Sequence, residues 1–509
     1  MNRRSAEYKP LLFTTTLRSP ERLKWFLGVL KEYNGQILTD NLAEKIAGEL
    51  IKIGLYKPIK LTETIKNKIK IKEPLTDKEV AKVLRDNPQN HKEAGFKRGW
   101  PSRFDTWFKI AKELGFVYYK PGEKITFSEL GLKLIDSEHP EFEQQAFLNA
   151  FVKYQSNNPF RRVLNESAPL ILLLEVINKL NSDPDFNSTG ISKLELPLVI
   201  FWKNNDSEGL FQLIKKIREK YKYNPSWEVI VDICINQIME GNFKKFNPKS
   251  IMVDYPDEFI RKMRLTGLIS LRGGGRFIDI NKNEQEKVNY VLSHYSDYKK
   301  YSNEKEYFEY VSAIDKNLIS LVGKPISVSE QDKFLIKWLG VYSWEKIVEE
   351  MIILSQKKLT KDDILKYLSS PIRLEFLVAL AIKSKFPNIK VIPNYPYDDE
   401  GLPTSTASGV GDKGDIECFE DLNGILVEVT MSEGRIQTVM EVWPIARHLE
   451  EFSKKTQNSM CYFIAPSIFK DSVRQIQFVK ENDNLFILPK TIEEFLKYLE
   501  NSKFLYASS

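Results

Sequence analysis

The sequence predicts a multidomain α+β protein: two helix-plus-hairpin subdomains, a helical connector and a C-terminal mixed α/β domain, in that order. Three observations predict it. A helix, a glycine stop and a tight hairpin follow one another twice within the first 280 residues. After residue 370 the apolar period changes to short runs separated by helices. Charge divides at the same place: residues 1–370 hold 60 Lys and Arg against 49 Asp and Glu, a net +11, and residues 371–509 hold 15 against 20, a net −5. The expected boundaries are 1–140 and 141–283 for the two subdomains, 284–369 for the connector and 370–509 for the last domain.

A chain of 509 residues, 42% hydrophobic and 28% charged, has the composition of a globular protein able to bury several cores without staples. Cys234, Cys418 and Cys461 are spaced for neither a zinc site nor a disulfide framework. No run approaches the ~20 apolar residues of a membrane span, and the opening Met1-Asn2-Arg3-Arg4 leads into polar residues, so neither a secretory leader nor a membrane partner is expected.

Residues 19–56 read as helices, with Ser19 as cap and Pro20 at the first helical position. In the first helix-hairpin copy a helix opens at Thr76-Asp77, and a second runs from Ser102 to Leu114. Gly115 stops it, and 116–119 turn at Pro121-Gly122 into 124–127. In the second copy a helix runs from Tyr255 to Leu265, Gly267 stops it, and 268–271 turn through Gly273-Gly274-Gly275 into 276–280.

Helix followed by hairpin is the order of a winged-helix module, whose helix fits the major groove and whose wing touches phosphate. Lys97, Arg98, Arg103 and Lys109 accompany the first helix; Arg261, Arg264, Arg272 and Arg276 surround the second. Residues 60–125 alone hold 16 Lys and Arg against 9 Asp and Glu. These residues are the candidate DNA contacts. The plain alternative is a packing module with a solvated basic face.

Residues 141–240 and 284–368 read as helical, the latter charge-rich. The last domain opens with a helix at Ser370-Pro371, then strand 390–394, a Gly/Ser/Thr-rich loop 400–414, strand 415–420, a turn at Asp421-Leu422-Asn423-Gly424 and strand 425–431. A helix over 433–455, strand 460–465, helix 469–480, strand 485–488 and a helix from Thr491 complete the order αβββαβαβα. That order forms a mixed sheet flanked by helices.

The central hairpin carries the chemistry. Asp415 and Glu428 are 13 residues apart across a short turn, which sets them on one face as cross-strand neighbours. Glu428 interrupts the apolar run Ile425–Val429, where a lone carboxylate is costly. Two close carboxylates repel unless a cation lies between them, and Mg²⁺ takes one or two carboxylates with water and phosphate oxygens. The alternative is a pair neutralised by Lys413, Arg435 or Arg447. Glu441 and His448 lie seven apart on the next helix, hence on one face, with Pro444 expected to kink it. Glu375 projects from an otherwise apolar helix.

The order Glu375, Gly414-Asp415, Val427-Glu428-Val429-Thr430, Glu441, Arg447-His448 resembles the cleavage domain of AlwI-type restriction and nicking endonucleases, the group that includes PleI and MlyI, in the PD-(D/E)xK nuclease superfamily. The motif spans residues 375–448; the resemblance in architecture extends over the whole chain. It implies a restriction-endonuclease-like αβββαβ nuclease domain behind winged-helix DNA-recognition subdomains. The family's metal-binding acids fall on Asp415 and Glu428, its further acids on Glu375 and Glu441, and its histidine on His448. The superfamily's lysine two residues after the second acid is Thr430 here, a departure the AlwI-type group shares, and it leaves the water-activating group open. Glu441 with His448 is the candidate pair.

The resemblance further implies Mg²⁺ as cofactor, double-stranded DNA as substrate, a cognate methyltransferase in the same system, a transient homodimer or second cleavage subunit on DNA, and a bacterial cytoplasm. The function expected is a Type IIS-like restriction endonuclease cutting a few base pairs outside a short asymmetric site. A strand-specific nicking subunit shares every residue with it. The non-enzyme alternative is a DNA-binding regulator with an inert C-terminal domain, which has no need of Glu428 on an apolar strand.

Overall fold

The computed structural model describes residues 8, 20–70, 73–93, 95–136, 140–186, 190–241, 247–404 and 413–506. Ser19, the first seven residues, and 405–412 of the expected 400–414 loop lie outside the described residues. The chain divides into two compact units, Met1–Ser137 with Phe142–Gly323 and Glu138–Glu141 with Lys324–Ser509. The division between Gly323 and Lys324 falls inside the stretch expected as a connector.

In the first unit, helix α1 (Trp100–Glu113) has Pro101 in its first turn, where a missing N–H costs nothing, so it starts two residues earlier than the sequence pattern. Trp100, Phe104, Trp107 and Phe108 are buried on it; Trp107 and Phe108 pack edge-on or tilted against Phe26, Trp100 and Trp107 against Tyr56, and Phe104 against Phe96 and Tyr119. Strands β1 (Val117–Tyr118) and β2 (Thr126–Phe127) then form an antiparallel hairpin. Farther along, β3 (Ile191–Ser192) precedes helix α2 (Tyr255–Arg264), itself entered through a π-helical turn at Ser250–Asp254. Strands β4 (Ile269–Arg272) and β5 (Phe277–Ile280) pair antiparallel, and β3 joins the β5 edge. The helix, glycine stop and hairpin thus recur in both copies.

The second unit begins with helices α3 (Val328–Leu339) and α4 (Trp344–Ser355). These pack on α5 (Ser370–Lys385), which is buried continuously from Ile372 to Lys383. A helix buried all round is apolar all round, and the exceptions, Arg373, Glu375 and Lys383, are therefore conspicuous. Five strands follow in the order β10-β9-β8-β7-β6: β6 (Lys390–Pro393), β7 (Ile416–Glu420) and β8 (Asn423–Val429) are antiparallel, and β9 (Asn458–Ala465) and β10 (Ile487–Thr491) continue parallel from β8. Between β8 and β9 run α6 (Arg435–Met440) and α7 (Val442–Ser453), between β9 and β10 runs α8 (Lys470–Asp483), and α9 (Ile492–Asn501) ends the fold. One apolar layer joins Leu426, Cys461 and Phe463 of the sheet to Ile445, Leu449 and Phe452 of α7 and Ile476 and Val479 of α8.

Two local expectations are corrected. Glu420 pairs with Asn423 and Phe419 with Gly424, so the β7–β8 turn is Asp421-Leu422 alone and the Asn-Gly pair belongs to the strand. Asp421 takes the left-handed conformation, φ 55°, which Asp tolerates. Gly424 is needed inside the strand because Thr456 Cγ2 and Phe452 Cε1 lie 2.5 and 2.7 Å from where a Cβ would stand. The expected single helix over 433–455 is two helices meeting at Glu441, φ −109° and ψ −47°. Pro444 then falls in the first turn of α7, where it starts a helix rather than kinking one.

Candidate active site

Side chains alternate along a strand, so Glu428 shares a face of β8 with Leu426, whose neighbours include α7. The register pairs Ile416 with Val427, and one further step sets Asp415, just before β7, opposite Glu428. The two residues are 7% and 6% exposed. Asp415 Oδ2 accepts a hydrogen bond from Val429 N at 2.8 Å, and Glu428 Oε1 lies 2.8 Å from His448 Nδ1 on α7. Beside them Thr430 Oγ1 donates to Glu441 Oε1 at 2.8 Å.

Gly414 makes this approach possible. A Cβ there would stand 2.4 Å from Leu426 Cδ1 and 2.6 Å from Glu428 Oε1. The backbone before Asp415 lies directly under the Glu428 carboxylate.

The electrostatics follow from burial. Desolvation, then the charges of Glu428 and Glu441, push Asp415 well above the usual carboxylate range. Desolvation, then Glu441, push Glu428 up to about 8. Among the described residues neither carboxylate forms an ion pair with lysine or arginine; Lys413 and Arg447 are exposed, and the Arg435 side chain lies outside the described residues. Two carboxylates this close and this buried repel one another unless a proton or a cation lies between them.

Glu375 is wholly buried on α5. Burial raises the phenols of Tyr395 and Tyr397, and the Glu375 charge adds to the effect. Among the described residues no group of three or more His, Cys, Asp or Glu side chains is arranged to hold an ion.

A family model described as AlwI restriction endonuclease matches residues 112–335 and 327–498. The chain belongs to the AlwI restriction endonuclease family. Membership makes it a nuclease by class, and the buried carboxylates lie within the second matched segment. No curated protein matches the AlwI-family chain in sequence. Among solved structures, it is similar to the small subunit, R.BspD6I2, of the heterodimeric restriction endonuclease R.BspD6I, at 24% identity and TM-score 0.27 over 31% of this chain and 78% of that one. It is also similar to the restriction endonuclease FokI, at 11% identity and TM-score 0.26 over 97% and 96% of the two chains. The match to FokI bound to DNA is at 12% identity and TM-score 0.23, over 98% and 96%. Among the described residues no helix is long and apolar enough to cross a membrane.

In the first unit the basic residues singled out by sequence separate into three groups. Lys97, Arg98 and Arg276 are exposed. Arg103, Lys109, Arg261 and Arg272 are partly buried: Arg103 lies over the rings of Tyr56 and Trp107 with Nη1 2.7 Å from His91 Nε2, Lys109 lies 3.8 Å from Glu93, and Arg272 Nε bonds Asp279 Oδ2 at 2.6 Å. Arg264 is buried and Nη1 donates to Ile269 O at 3.3 Å, bracing the start of the hairpin. Its guanidinium does not face solvent, which corrects the expectation that it lies on a DNA-facing surface.

Sequence reasoning missed three contributors. Thr430 was visible only as a departure from a lysine, Gly414 only as the residue before Asp415. Gln437 was not singled out at all: it is fully buried, and its amide spans Ser432 O, Ser467 O and Phe469 N.

Proposed function

We propose that this protein is a Type IIS-like restriction endonuclease that binds a short asymmetric duplex site through its basic first unit and hydrolyses a phosphodiester a few base pairs outside that site, with Mg²⁺ as cofactor. The observation that carries the reading is the buried pair Asp415 and Glu428. Both carboxylates are held in place by hydrogen bonds, and neither has a basic ion-pair partner other than His448 among the described residues. A buried pair of hard oxygen donors fits a small divalent cation, and Asp415 and Glu428 are the residues that would hold it. Bound there, the cation would polarise the scissile phosphate and acidify water.

The protein's own groups do the rest. His448 fixes the rotamer of Glu428 through Oε1. Glu441, anchored by Thr430, is the group placed to orient the attacking water and take its proton. Lys97, Arg98 and Arg276, exposed in the first unit, are suited to phosphate contacts that fix register without reading sequence. Arg103, stacked on two rings, is a better candidate for reading a base edge, and Lys109, Arg261 and Arg272 line the same modules.

The test is incubation of the purified protein with plasmid DNA and Mg²⁺. Discrete fragments are expected, and Asp415→Ala and Glu428→Ala are each expected to stop cleavage while keeping duplex binding in Ca²⁺. Open circles alone would assign strand-specific nicking. Full cleavage by either variant would remove the carboxylate pair from the chemistry, and binding without any cleavage by the wild-type protein would favour the regulator.

A further inference from the structure

We propose that Thr430 is a positioning residue for cleavage: its hydroxyl holds the Glu441 carboxylate in the orientation that receives the attacking water. The inference rests on the nuclease reading above and adds a residue to it.

The hydrogen count at Thr430 decides the direction of the contact. Its Oγ1 accepts from Ser432 N at 3.0 Å and lies 2.8 Å from Glu441 Oε1. A hydroxyl has one proton and two lone pairs. Ser432 brings its own hydrogen, so the Thr430 proton is left for Glu441. Oε1 is thereby fixed as an acceptor, and the lone pairs of Oε2 remain for water.

Thr430 is itself fixed from three sides. Its backbone N bonds Ile464 O at 2.9 Å, extending the β8–β9 ladder. Its side chain is on the same face as Glu428, two residues earlier. The turn after it is pinned by Gln437, whose Nε2 donates to Ser432 O at 3.1 Å and Ser467 O at 2.9 Å while Oε1 accepts from Phe469 N at 2.8 Å. Strand, turn and α6 therefore form one brace ending on the Glu441 carboxylate. That carboxylate is near enough to Asp415 and Glu428 for its charge to raise both.

The step it serves balances simply. The water oxygen bonds to phosphorus and one water proton passes to Glu441. The bond from phosphorus to the leaving oxygen breaks with its electron pair on that oxygen, which takes a proton from solvent. Glu441 then returns its proton to solvent.

The experiment is single-turnover cleavage of a plasmid that the wild-type protein cuts, with Mg²⁺, for Thr430→Val, Thr430→Ser and Asp415→Ala, each checked for thermal midpoint and for duplex binding in Ca²⁺. Valine keeps the shape and removes the hydroxyl; serine keeps the hydroxyl. Thr430→Val is expected to lose ~10–100-fold in maximal rate, the usual scale for removing a supporting partner, at unchanged DNA affinity and half-saturating DNA concentration. Thr430→Ser is expected to recover most of the rate. Wild-type cleavage by Thr430→Val, or an equal loss in the serine variant, overturns the proposal while an inert Asp415→Ala leaves the nuclease site standing. Cleavage by Asp415→Ala would instead overturn the reading on which the proposal rests.

Discussion

Replacing Gly414 by alanine adds one methyl group under the carboxylates of Asp415 and Glu428, and the structure sets the size of the effect. The new Cβ would stand 2.6 Å from Glu428 Oε1 and 2.4 Å from Leu426 Cδ1, against 3.4 Å for ordinary contact. Both must therefore yield, Glu428 Oε1 by 0.8 Å and Leu426 Cδ1 by 1.0 Å. Leu426 is fully buried among α7, α8 and β9, and forcing a methyl into such a layer costs ~1–3 kcal/mol. Glu428 is the softer side, but its Oε1 is the oxygen held 2.8 Å from His448. A displacement near 1 Å at a reacting centre commonly costs ~10²-fold in rate. The assay is single-turnover plasmid cleavage in Mg²⁺, beside duplex binding in Ca²⁺ and the thermal midpoint. Gly414→Ala is expected to cleave ~10²-fold more slowly, to bind DNA as the wild type does and to melt lower by roughly 2–4 °C per kcal/mol lost. A variant that melts lower yet cleaves at the wild-type rate would refute the reasoning, because the methyl would then have displaced the core and left the chemistry untouched.

His448→Ala leaves Glu428 Oε1 without its partner and is expected to lower the maximal cleavage rate ~10–100-fold at unchanged DNA affinity, with His448→Asn recovering part of it; an undiminished rate in the alanine variant argues that the contact only packs α7. A fragment ending at Gly323, which holds 52 Lys and Arg against 42 Asp and Glu, is expected to bind duplex DNA without divalent cation and with affinity falling steeply in salt. Binding insensitive to salt would place recognition outside its basic face. Burial pulls the Lys153 ammonium down to about 8, where it bonds Asn149 Oδ1 and Ala313 O. Its folded value is below the unfolded ~10.4, so the unfolded chain binds the extra proton between those limits and the stability difference between wild type and Lys153→Met shifts toward the wild type as pH rises from 7.5 to 9.5. Chemical denaturation at the two pH values measures it, and a constant difference would contradict the buried charge.

Much of the second unit was legible because its signals are local. The Ser-Pro start of α5, the alternation in β7 and β8 and the apolar run of β9 each follow from neighbours in sequence, and the 13-residue spacing sets Asp415 and Glu428 on one face, although only the observed two-residue turn brings them directly opposite. What escaped depended on residues far away. Asn423-Gly424 has the composition of a turn, but Thr456 and Phe452 close over Gly424 and make it a strand residue. Arg264 has the composition of a surface contact, but the hairpin that follows folds back over it and takes its guanidinium. Gln437 carried no signal, since a buried amide bridging three backbone groups of two loops is a consequence of the fold and not of a motif.

The placement of Glu441 and His448 joins these two kinds of information. Seven residues along a helix cover ~10.5 Å, whereas Glu428 on β8 and Thr430 just beyond its end, their partners, are two residues or ~6.6 Å apart. The pairing is nonetheless ordered, Glu441 with Thr430 and His448 with Glu428. A helix linking two parallel neighbours such as β8 and β9 must return along the sheet, so its beginning meets the end of the strand and its middle meets an earlier strand position. The break between α6 and α7 falls at Glu441, where the chain leaves one helix for the next and its side chain is released from the α7 row that His448 continues. The seven-residue spacing thus meets both partners across a boundary between two helices and not along one continuous face.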